Sequence, residues 1–183
     1  MVGPVGRVFV AVPLPAEARL ALDDQVRNHT MPGKVAPPEN WHLTLRFLGN
    51  IDDVAYERFV AELDTADLGS RFRVALGGLG AFPNPKRATV LWVGVSQGGD
   101  ELSELALTSE EAAQAAGLPP EERPFRAHLS LSRIRPQVDV SALITSFGDT
   151  GIGWRCETMV VYQSHLGSGP ARYEPLEIFD LRR

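Results

Sequence analysis

"NWHLTLRFLGN" spans Asn40 to Asn50, and "RAHLSLSRIR" spans Arg126 to Arg135. Each sets His, Leu, a hydroxyl residue and Leu in succession, and these near-copies hold two of the chain's four histidines. In a β-strand, residues i and i+2 share a face. His42 and Thr44 therefore look the same way, roughly 7 Å apart along the strand. Leu43, Leu45 and Phe47 look the other way and anchor the strand in a core. His128 and Ser130 pair likewise, with Leu129 and Leu131 behind them. One such strand is ordinary, because a lone strand histidine is usually a surface or hydrogen-bonded structural residue. A second copy at the equivalent place shifts the reading toward chemistry.

The rest of the chain frames the two stretches as halves of a duplication. "VGRVFVAV" (Val5–Val12) and "ATVLWVGV" (Ala88–Val95) read as buried strands rich in β-branched residues. Helices are expected over Pro15–His29, from Asp52 (as N-cap) to about Ala66, from about Asp100 to Ala116, and over Val140–Phe147. "FRVALGGLG" (Phe72–Gly80), "WRCETMVVYQS" (Trp154–Ser164) and "YEPLEIFDL" (Tyr173–Leu181) read as further strands. Val8 corresponds to Leu91, His42 to His128 and Phe72 to Arg155, at nearly constant separation. A Pro-rich loop precedes each His strand. The order is a repeated β-α-β-α-β unit with one added strand. Antiparallel or mixed sheets with helices outside would suit this order. No low-complexity linker divides the chain, so one domain is expected over residues 1–183, its repeats lying at approximately 1–80 and 88–183.

Bulk composition narrows the function classes. The 183 residues are 44% hydrophobic and 22% charged, with a net charge of −5, ordinary for a globular domain. No broad cationic surface for duplex DNA is expected. A local basic patch drawn from Arg46, Lys86, Arg87, Arg126 and Arg133 could still serve a phosphate. The single cysteine, Cys156, excludes an internal disulfide and an all-Cys zinc site, and fits a reducing compartment. The apolar run before "PLP" is too short to span a bilayer and lacks a small-residue cleavage site. It reads as a first strand, giving a cytoplasmic, membrane-free protein, expected to be a monomer. No His-Glu-x-x-His set suggests a metal, "GGLG" is no P-loop and "GSG" no nucleophile elbow. No cofactor is expected.

Two imidazoles and two hydroxyls suit acid–base work. Near neutrality one imidazole can be neutral and the other protonated. One then accepts a proton and the other donates one, while the hydroxyls bind oxygens that gain charge. In-line attack of water on a phosphodiester fits this set. Of the neighbours, Arg46 shares the face of His42 and Thr44 by parity. Arg133 has the parity of Leu129 and Leu131, so it faces the site only if the strand twists or bulges. His29 and His165 read as structural or loop residues, and Cys156 as a core residue. Trp41, Phe47 and Tyr173 could stack on a base, but packing fits each better, Phe47 most of all.

Paired His-x-Thr/Ser-x tetrapeptides in duplicated halves resemble the two-histidine phosphoesterases. The nearest likeness is to the bacterial RNA 2',3'-cyclic phosphodiesterases, the LigT-like or 2'-5' RNA ligase-like family. It extends through "RVFVAVPLP", "HLTLRFLGN", "LGAFPNPKRATVLWVGV", "RPFRAHLSLSR" and "VVYQSHLGSGPARYEPLEIFDL". The resemblance implies an α+β fold of two pseudo-symmetric lobes, with antiparallel sheets lining a central cleft and helices outside. It implies metal-independent opening of an RNA or nucleotide 2',3'-cyclic phosphate to a 2'-phosphate. His42 would be the proton donor, His128 the proton acceptor, Thr44 and Ser130 phosphate ligands, and Arg133 a match to a basic residue that commonly follows the second motif. RNA 3' ends or small cyclic nucleotides would be substrates. Two alternatives share these residues: a nucleotide- or RNA-end-binding module without turnover, and an ATP-independent 2'-5' RNA ligase.

Overall fold

The computed structural model describes residues 4–183. In chain order the elements are β1 (Pro4–Pro13), α1 (Ala16–Arg27), β2 (Lys34–Val35), β3 (His42–Asp52), α2 (Asp53–Thr65) and β4 (Phe72–Phe82). There follow β5 (Ala88–Gln97), α3 (Gly99–Ala115), β6 (His128–Val138), α4 (Ser141–Phe147), β7 (Gly153–Cys156), β8 (Thr158–His165) and β9 (Arg172–Asp180). The expected helices all form. Asp52 caps α2 by accepting a hydrogen bond from the Ala55 N–H at 2.8 Å.

Two sheets result, with strand orders β3-β1-β8-β9 and β2-β6-β5-β4-β7. Every strand pairing within them is antiparallel. Their inner faces bury Val8, Val10 and Val12 of β1, Leu43 and Leu45 of β3, Leu91 and Val93 of β5, and Leu129 and Leu131 of β6. Helix α2 covers this face of the first sheet through Phe59 and Leu63, and α3 packs on β3. Helix α4 packs on β4. Helix α1 joins it, with Gln25 donating to the Thr150 carbonyl at 2.8 Å and the His29 ring 4.9 Å from Phe147.

The sheets do not divide along the repeats. β4 belongs by sequence to the first half but pairs with β5 in the second sheet, while β8 and β9 complete the first sheet beside β1. Two expectations need correction. The strand expected over Trp154–Ser164 breaks at Glu157: β7 stays with β4, and β8 crosses to β1. The break at Glu157 lets the segment pass from one sheet to the other. The Pro-rich stretch Met31–Asn40 also holds a strand, β2, whose two residues pair with Ser132 and Arg133 of β6. Two residues are too few to show periodicity.

β2 is clamped on both sides. The Ser132 hydroxyl donates to the Pro32 carbonyl at 2.8 Å, and the Ala36 N–H to the Leu131 carbonyl at 2.8 Å. Between them Gly33 sits at φ +74°, where a Cβ would collide with the Arg133 carbonyl. Replacing Gly33 by Ala is expected to cost about 1–3 kcal/mol, from left-handed backbone strain plus this collision. Urea unfolding checks it; a change of only a few tenths of a kcal/mol would show that β2 lifts from β6 freely.

Candidate active site

β3 and β6 lie against each other at the junction of the sheets without hydrogen-bonding into one. Each carries its histidine at its first residue. The His42 Nδ1–H donates to the Asn40 carbonyl at 2.7 Å, and the His128 Nδ1–H to the Arg126 carbonyl at 2.7 Å. A carbonyl can only accept, so both rings carry hydrogen on Nδ1 and leave Nε2 for chemistry. The same bond to the residue two places back recurs in both halves. Thr44 is half-buried and Ser130 exposed. Neither hydroxyl has a hydrogen-bond partner among the described residues, so both are free to donate to an incoming ligand's oxygen.

Each imidazole rests on aromatic rings. Phe9 of β1 lies 4.9 Å from His42 at 34°, and Tyr173 of β9 meets it edge-on at 5.3 Å. Phe82 of β4 meets His128 edge-on at 5.2 Å, and Trp92 of β5 lies 6.0 Å away. Trp92 lies over Gly80, where any Cβ would enter its ring. The Arg126 guanidinium sits 5.7 Å from the Phe82 centroid, a cation–π distance. Sequence reasoning did not single out Phe9, Phe82 or Trp92. The signal was available for two of them, since Phe9 and Trp92 stand one residue after the corresponding Val8 and Leu91.

Burial pushes the His42 imidazole below its ordinary pKa. The bond to Asn40 opposes this, and the charge of His128 lowers it further. The two imidazoles are thus within electrostatic reach of one another.

Beyond the hydroxyls, strict alternation fails in both strands at the same place. Ala11 faces Thr44 and Val10 faces Arg46, so Leu45 is an extra, bulged residue. Trp92 faces Ser130 and Leu91 faces Ser132, so Leu131 is bulged likewise. A bulge reverses the parity of the residues after it. Arg46 therefore turns away from His42 and into the interior, at 8% exposure, which corrects the face expected for it. Its guanidinium pairs with the Glu110 carboxylate of α3 and donates to the Phe47 carbonyl and, at 2.6 Å, to the Pro119 carbonyl. Phe47, expected behind the strand with the leucines, is 55% exposed and lies 5.7 Å from Phe9 on the histidine side. Arg133, by contrast, meets the condition set for it: the bulge brings it onto the face of His128 and Ser130.

The remaining candidates are held by partners of their own or buried. The His29 Nδ1 lies 3.0 Å from the Gln25 carbonyl. His165 pairs with Glu174 at 2.7 Å. Trp41 is buried and donates to the Ala36 carbonyl at 3.0 Å. Cys156 is buried, and burial pushes its thiol up to about 12. Two adjoining surface pockets, lined by Asp67, Leu68, Gly69 and Arg182, lie near Phe72. That is the opposite end of β4 from Phe82.

Comparison with known proteins places the chain in a family. A family model described as LigT-like phosphoesterase matches residues 12–92. A protein of Aeropyrum pernix named RNA 2',3'-cyclic phosphodiesterase is 38% identical over 140 residues, covering 74% of this chain and 78% of its own. One of the same name from Thermus thermophilus is 33% identical over 184 residues, covering 96% and 90%. The chain belongs to the LigT-like phosphoesterase family. The crystal structure of Escherichia coli LigT complexed with 3'-AMP superposes with a TM-score of 0.82 at 25% identity, covering 99% of this chain and 100% of that one. TT0787 of Thermus thermophilus superposes at 0.77 with 28% identity, covering 96% and 98%. Both support the two-lobed α+β fold.

Two expected outcomes arise from this geometry. Burial pushes the Glu110 carboxyl up, but hydrogen bonds from Gln114, the Glu121 N–H and Arg46, together with the Arg46 charge, hold it below the usual range. Glu110→Ala strands the Arg46 guanidinium and should cost about 3 kcal/mol in denaturant unfolding; an Arg46 serving only substrate would leave stability unchanged. His42 binds fewer protons folded than unfolded, where its pKa is about 6.5. Its contribution to stability is complete above that pH and is lost as pH falls from there through the lowered folded value. Thermal unfolding should drop more steeply over this window in the native chain than in His42→Gln. Parallel profiles would show that His42 protonates freely.

Proposed function

We propose that the chain hydrolyses the 2',3'-cyclic phosphate of an RNA 3' end or nucleotide to a 2'-phosphate, with His42 and His128 as acid and base. The observation that carries this reading is the matched pair of imidazoles, each with Nδ1 bound to a backbone carbonyl, Nε2 free and a hydroxyl two residues along. The names of the relatives from Aeropyrum and Thermus support it.

The chemistry closes on the chain's own side chains. The His128 Nε2 lone pair takes a proton from water as its oxygen bonds to phosphorus. The bond from phosphorus to the 3'-oxygen breaks, and the His42 Nε2–H protonates that oxygen. Thr44 and Ser130 hold the non-bridging oxygens as they gain charge. The assignment of His42 as donor follows the family resemblance. Burial disfavours the His42 imidazolium, and an anionic phosphodiester beside it favours it.

The test uses a 2',3'-cyclic mononucleotide in buffer containing EDTA, with the product's phosphate position read by phosphorus NMR. A 2'-phosphate should accumulate. His42→Ala and His128→Ala should each slow turnover by about 10²–10⁴ while remaining folded. Full rate in either variant, or a 3'-phosphate product, would sink the reading.

A further inference from the structure

Lys34 stands directly opposite Arg133 across the β2–β6 pair. Residues in direct register share a face of the sheet, and like charges placed this way repel. Both side chains are exposed, as is Arg135 two residues on. None of the three has an ion-pair partner among the described residues, in a chain whose acidic residues outnumber its basic ones by 23 to 18. The juxtaposition is built in, because the bonds on both sides of β2 and the close approach of Gly33 to the Arg133 carbonyl fix the register.

The position of this pair indicates a ligand. The bulge at Leu131 makes Arg133 the next residue on the cleft face of β6 after Ser130. The cations therefore begin one step along the strand from the hydroxyl assigned to the scissile phosphate. An RNA strand ending in a cyclic phosphate carries its next anion one nucleotide upstream. We infer that Lys34, beside Arg133, forms a subsite for that upstream phosphodiester, so that the enzyme prefers an oligoribonucleotide end to a free cyclic mononucleotide. This rests on the reading of the cleft as a cyclic phosphodiesterase site.

The test compares kcat/KM for a 2',3'-cyclic mononucleotide and for a short oligoribonucleotide with the same terminal residue, using the native chain, Lys34→Gln and Lys34→Arg. Lys34→Gln should leave the mononucleotide rate unchanged and cut the oligonucleotide's kcat/KM about tenfold, mainly through KM, while its dependence on log salt flattens by about one unit. Lys34→Arg should restore both. The thermal midpoint of Lys34→Gln should equal or exceed that of the native chain, since a repulsion is relieved. An equal loss on both substrates, or no loss on the oligonucleotide, overturns the subsite while hydrolysis itself stands. Failure of the native chain on both substrates overturns the subsite together with the catalytic reading.

Discussion

A β-strand shows each face only every second residue, so a strand that lines a cleft and also closes a core has its side chains assigned in advance. β3 and β6 obey this through the His-x-hydroxyl pair and then insert one extra residue, Leu45 and Leu131. The insertion lets both leucines stay buried while the following side chains change sides. Arg46 and Ser132 go inward; Phe47 and Arg133 come out. The site's outer wall depends on that single added residue in each strand.

The groups the bulge turns inward bond across the sequence halves. Arg46, on the strand of the first histidine, pairs with Glu110 and the Pro119 carbonyl of the second half. Glu110 in turn accepts from the Glu121 N–H, within the loop that leads to Arg126 and His128. Asn40 works at the other histidine: its carbonyl orients His42, and its side chain donates to the Ala171 carbonyl at 2.6 Å. Each imidazole is thus tied through backbone to a loop at the rim of the cleft.

Much of this was legible in the letters. The alternation of "HLTL" and "HLSL" placed each histidine on one face with its hydroxyl, the repeated order of elements left antiparallel or mixed sheets open, and the family resemblance supplied the two antiparallel layers. The features that escaped did so for physical reasons. A bulge leaves no mark in an apolar alternation, so parity carried Arg46 to the wrong side and Phe47 with it. β2 is too short for any period. Strand exchange depends on pairing energies between distant segments, and local patterns report only each strand's own preference.

The exchange of strands also bears on how such a chain could arise. A lone β-α-β-α-β unit laid out as here would leave β1 without the neighbour that β8 supplies and β4 without β5. Two separate copies of the unit could satisfy both needs by trading their last strands, as in a domain-swapped dimer. Such a pair would carry two identical histidine strands related by a two-fold axis. Joining the copies end to end keeps every strand pairing and frees the two sites to diverge, which is the condition for Phe47 and Arg133 to occupy matching places with opposite chemistry.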